Sequence, residues 1–139
     1  MTPALRQEVA DRAGRCCEYC QSQEVFSPQP FSAEHIVPRS RGGGTALENL
    51  AWACQGCNAH KYTKVEGWDA ATGRMAPLFH PRMHRWRDHF TWSVDSTRVL
   101  GRTPTGRATV EALRLNREPL VNLRRVLYGS GLHPPKEPT

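Results

Sequence analysis

The chain has 139 residues, 38% of them hydrophobic, with 11 Gly, 11 Pro and a formal net charge of +6. These figures fit one small, loop-rich domain with an extension and exclude two full domains; a core of this size is commonly reinforced by a metal or by disulfides. No apolar run is long enough to span a membrane, and the opening Met1-Thr-Pro-Ala-Leu-Arg-Gln-Glu8 lacks the apolar stretch of a signal peptide, so a cytoplasmic chain with reduced thiols is expected. The 19 Lys and Arg against 13 Asp and Glu favour a polyanionic partner without saying where the charge sits.

Residues 4–14 read as a short amphipathic helix, with Leu5, Val9 and Ala13 on one face and Gly14 as its C-cap. A first Cys-x-x-Cys, Cys17-Glu-Tyr-Cys20, follows at once, beside an odd Cys16 read as a small buried or half-exposed thiol. Residues 21–31 read as a connecting loop, Phe31 to Val37 as a strand ended by Pro38, and Arg39 to Thr45 as a Gly-rich loop. Asn49 to Ala53 reads as a second extended piece that enters Cys54-Gln-Gly-Cys57, and about 58–64 as one or two helical turns. Residues 66–81, with Gly67, Gly73, Pro77 and Pro81, read as turn-rich. Phe90 to Val94 alternates like a strand, and Arg98 to Leu100 is its expected partner. Thr103 to Asn116 reads as a turn leading into a helix, about Pro119 to Tyr128 as a second helix with Leu120, Leu123 and Leu127 near one stripe, and Gly129 to Thr139 as a loose tail.

Two Cys-x-x-Cys pairs in a reduced chain favour metal over disulfides. Cys17, Cys20, Cys54 and Cys57 are the ligand set of a closed, structural tetrahedral zinc site, with no open position for chemistry. Between and beside the pairs lie Glu34, His35, Asn49 and Asn58. Phosphodiester hydrolysis needs a base for the attacking water and positive charge on the phosphate. His35 is the natural base, because neutral imidazole near pH 7 accepts a proton. Glu34 and the Asn58 side-chain carbonyl are oxygen donors suited to Mg2+ or Mn2+. Glu34 points to the opposite side of its strand from His35. Asn49 suits bonding to backbone, which aims His35. Arg39 and Arg41 are either a solvated loop or phosphate contacts, and His60 is the alternative ligand to Asn58.

Cys-x-x-Cys, Glu34-His-Ile-Val-Pro-Arg-Ser-Arg-Gly-Gly43, Glu48-Asn-Leu50 and Cys54-x-x-Cys-Asn-x-x-Lys61 together resemble the HNH endonucleases, over about residues 15–64. The resemblance implies an α+β fold: a zinc-stapled ββα-metal finger, treble-clef-like, in a nuclease domain of residues 1–95, with a C-terminal strand and helix extension at 96–139. It implies His35 as general base, Asn49 as the residue that orients it, Glu34 (where the family most often has Asp) and Asn58 as ligands of the catalytic metal, and Lys61 as a phosphate contact. The implied activity is metal-dependent hydrolysis of nucleic acid, with DNA as the expected partner. An RNase built on the same finger and a non-catalytic zinc module that binds nucleic acid or protein are the alternatives. His80, His84 and His89 read as packing and hydrogen-bonding residues. Arg102, Arg107, Arg114, Arg124 and Arg125 read as either a DNA-contacting or a solvated surface. The sequence leaves the oligomeric state open.

Overall fold

The structure is a computed structural model and describes residues 1–136. Helix α1 (Pro3–Arg12) starts on a Thr2 N-cap, whose hydroxyl accepts from the Leu5 N–H, with Pro3 in the first turn where its missing N–H is no loss. It ends before Gly14, which sits at φ +62. Val9 and Ala13 are buried beneath it. The first knuckle follows, and then strands β1 (Ser32–His35) and β2 (Leu50–Ala53) pair antiparallel, Glu34 opposite Ala51 and His35 opposite Leu50. Helix α2 (Gln55–Lys61) begins at Cys54, whose sulfur accepts from the Cys57 N–H as an N-cap. Together β1, β2 and α2 are the expected ββα finger.

The outer edge of β2 is fully capped. Glu18 takes the Trp52 N–H on its carboxylate and gives its own N–H to the Trp52 carbonyl, while Arg12 and Arg82 donate to the Leu50 carbonyl. No strand ladder is left open to another chain at these positions.

The turn-rich segment is corrected: residues 66–77 are a hairpin of β3 (Glu66–Asp69) and β4 (Arg74–Pro77). Gly67 and Pro77 read as breakers in sequence. In the fold Pro77 closes its strand, and Gly67 gives room for the backbone of the next helix but one, since a Cβ there would come 3.2 Å from the Ala108 carbonyl. A one-turn α3 (Trp86–His89) leads into β5 (Phe90–Trp92), which pairs with β6 (Val99–Gly101). The division expected between residues 95 and 96 therefore falls inside a paired hairpin. Helix α4 (Pro104–Ala112), N-capped by Thr103, packs on β3, β4 and β6, and α5 (Glu118–Gly129) follows. One buried cluster runs from Val9, Tyr19, Phe31 and Trp52 to Phe90, Val99, Leu113 and Leu115, so finger and extension share a core.

Several C-terminal arginines are structural. Arg124 is buried and donates to the carbonyls of Thr97 and Leu115, and Arg107 grips Asp69 at 2.9 and 3.1 Å. The tail is packed as far as His133, which is buried against Trp92 with its Nε2 2.9 Å from the Ser96 carbonyl. The remainder of the expected loose tail, 137–139, lies outside the described residues.

Candidate active site and zinc centre

The sulfurs of Cys17, Cys20, Cys54 and Cys57 all lie within 4.8 Å of one another, and all four residues are buried. A tetrahedron with Zn–S bonds of about 2.3 Å has edges of about 3.8 Å. The Cys20–Cys54 separation, 3.7 Å, matches that edge. Each knuckle turns back so that the second cysteine's N–H points at the first one's sulfur, at 3.5 Å in both pairs. Arg117, at the start of α5, donates to Cys54 at 3.4 Å and to Cys57 at 3.6 and 3.7 Å. Four thiolates exceed the charge of a zinc ion by two, and the guanidinium offsets part of that excess. Gly56 makes room for it, because a Cβ there would come 2.5 Å from an Arg117 nitrogen. The donor set thus fits structural zinc, with a charge partner from the extension that no local motif signals.

His35 closes β1 and is half-buried. Its Nε2 lies 2.9 Å from Thr45 Oγ1. Partial burial, with Arg39, the chain's N-terminal ammonium and Lys61 nearby, holds its pKa below the ordinary 6.5, which keeps the imidazole neutral at pH 7. Asn49 accepts from the Val37 N–H at 2.9 Å and donates to the carbonyls of Val37 at 3.0 Å and Gly44 at 2.8 Å. It therefore ties the chain just after His35 to the chain just before Thr45. Gly43 is required at this crossing, since a Cβ there would overlap the Val37 carbonyl and meet Asn49 Nδ2 at 2.8 Å.

Glu34 and Lys61 differ from expectation. Glu34 faces the interior, 6% exposed, and takes the Tyr19 hydroxyl on one oxygen and the Lys61 ammonium, at 3.3 Å, on the other. Burial raises its pKa against the opposing pull of Lys61 and Tyr19. Lys61 is 1% exposed and also donates to the carbonyls of Ile36 at 2.8 Å and His35 at 3.4 Å. The Lys61 ammonium, expected at a phosphate, braces α2 against β1. The Glu34 carboxylate, expected at a cation with Asn58, is paired with Lys61; the local pattern says which side of the strand it takes but not that a lysine waits there. Asn58 is half-buried and, among the described residues, its side chain has no hydrogen-bond partner.

Arg39 and Arg41 are exposed on the turn after Pro38; Arg41 is anchored by donation to the Thr63 carbonyl at 2.7 Å, and Arg39 has no hydrogen-bond partner among the described residues. His60 is half-buried on α2. His84 packs between Phe79 and His89, with ring centroids 5.9 and 4.8 Å away, and among the described residues the four cysteines are the one cluster of metal-ligating Cys, His, Asp and Glu side chains. Thr45, Tyr19 and Arg117 are the site residues that sequence reasoning missed; a hydroxyl beside a glycine run was the sole signal for any of them.

A zinc-knuckled ββα finger with a half-buried histidine at the end of its first strand is the architecture to which the family match also points. Residues 17–64 match the family model described as HNH endonuclease. No curated protein and no solved structure matches the chain.

Proposed function

We propose that this protein is an HNH endonuclease that hydrolyses DNA phosphodiester bonds, with His35 as the general base. The observation that carries the reading is the half-buried, pKa-lowered imidazole of His35, held by Thr45 and by the Asn49 clasp inside the segment matched to the family. In the tautomer whose Nε2–H donates to Thr45 Oγ1, the lone pair lies on Nδ1, and Nδ1 takes the proton of the attacking water. Arg39 and Arg41 bring positive charge to the phosphate from the adjacent turn.

A divalent cation, Mg2+ or Mn2+, would take Asn58 as its open protein donor. Ions of this kind commonly enter with substrate phosphate and keep much of their water. When bound, the ion supplies positive charge to the phosphate and the leaving oxygen. Glu34 joins it only by giving up Lys61. That sequestration favours the second reading, a zinc module that binds nucleic acid without cutting it. Incubation of supercoiled DNA, linear DNA and RNA with the protein and with His35→Ala, each with and without magnesium, separates the readings. DNA cleavage that needs His35 supports the proposal. Binding without cleavage supports the second, and cleavage of RNA alone replaces DNA as the substrate.

A further inference from the structure

A cleft of about 740 Å³ opens between the end of α1 with the first knuckle and the segment that runs through residues 79–87. Among the described residues its wall carries Arg12, Arg82, Arg85 and Arg87 with His84, and one acid, Glu18. Glu18 is already spent: one oxygen holds the Trp52 N–H and the other holds Arg82. Arg12 and Arg82 both aim at one carbonyl, that of Leu50, at 2.6 and 3.4 Å. Two guanidiniums converging on a single acceptor repel each other, and burial together with that repulsion lowers the Arg12 pKa. An anion in the cleft relieves the repulsion. Arg85 is exposed and has no hydrogen-bond partner among the described residues.

Position gives this cleft a use. The Asn49 carbonyl accepts from Ile36, just past the end of β1, so the next carbonyl, that of Leu50, faces the other way, out to the two arginines. Leu50 pairs with His35. The arginine wall thus lies against the far edge of β2, with β2 itself, one strand spacing of about 4.8 Å from β1, between it and the strand that carries the base. We propose that this cleft binds the phosphodiester backbone of the DNA strand flanking the scissile bond, an inference that rests on the nuclease reading. Nothing in the wall offers a pattern of donors and acceptors fit to read base edges, so the cleft holds register and orientation and not sequence.

The experiment is fluorescence anisotropy of a short labelled duplex over a salt series, with all proteins in a His35→Ala background. Arg85→Ala should weaken binding to unrelated duplexes alike and lower the slope of log affinity against log salt by about 0.9, for the one phosphate left without its cation. Arg85→Lys should retain most of that slope, because charge is what the phosphate feels. Zinc content and thermal unfolding of each variant are measured alongside to show that the fold is kept. An unchanged slope in Arg85→Ala, while the parent with His35 intact still cleaves DNA, overturns the cleft and leaves the nuclease reading in place. A parent that neither binds nor cleaves nucleic acid overturns both.

Discussion

Lys61→Met removes an ammonium from one of the most enclosed positions in the protein. Lys61 is 1% exposed, and its partner Glu34 is 6% exposed. The substitution keeps the length of the side chain but leaves Glu34 with the Tyr19 hydroxyl alone and strips a donor from the Ile36 carbonyl. Breaking a buried pair on one side costs about 3–5 kcal/mol, whereas replacing both members with uncharged groups is often nearly neutral. At about 2.1 cal/mol/K of unfolding entropy per residue, that loss lowers Tm by about 10–17 °C in a chain of 139 residues. Glu34→Gln added to Lys61→Met should recover much of the loss, giving a large coupling energy in a double-mutant cycle. A pH signature accompanies it. Burial already raises the Glu34 pKa, and without Lys61 it rises further, so the folded variant binds a proton that the unfolded chain releases. Its stability relative to the parent is therefore best below the unfolded carboxyl pKa and declines as pH rises through the folded one. Urea titrations at pH 5 and pH 8 with zinc held constant measure all of this. A Lys61→Met protein as stable as the parent at pH 8, or losses that simply add in the double variant, would refute the internal pairing of Glu34 and restore its carboxylate to the surface.

Other substitutions test the frame around the base. Cys54→Ser leaves three thiolates, and should cost the protein both its tightly held zinc and its cooperative unfolding, read by metal analysis and circular dichroism. Arg117→Ala should retain zinc at the parent stoichiometry but weaken it by about 10–100-fold in competition with a chromogenic chelator, because it removes the charge partner of Cys54 and Cys57 and not a ligand. Asn49→Ala deletes three bonds to the backbone at Val37 and Gly44. It should cost about 1 kcal/mol per bond, and misaim His35 enough to lower kcat by about 100-fold in a cleavage assay.

Legibility from sequence followed the range of the interactions. The knuckles, the two strands of the finger and the helices starting near Pro104 and Glu118 rest on local spacing, capping and alternation, and all are found near the expected residues. The β3–β4 hairpin was hidden because Gly67 and Pro77 look like breakers until α4 lies across them. Glu34 was assigned to the correct side of its strand relative to His35, but the lysine that occupies its carboxylate stands 27 positions away. Arg117 reaches the cysteines from 60 or more positions away, and Asn116, beside it, clasps Val99 by both amide atoms, a pairing that only the assembled core brings about. Arg124 shows the same limit from the other side: it reads as a surface cation, yet is buried under the carbonyls it satisfies.

Cleavage of supercoiled plasmid by zinc-loaded protein, with magnesium present or withheld, tests His35 as the base of a nuclease when His35→Ala is run beside the parent. Nicked or linear product is expected from the parent with magnesium, and none from His35→Ala although that variant keeps its zinc, its fold and its affinity for DNA. Equal cleavage by the two proteins, or a folded, DNA-binding parent that leaves the plasmid intact with magnesium or manganese, would contradict it.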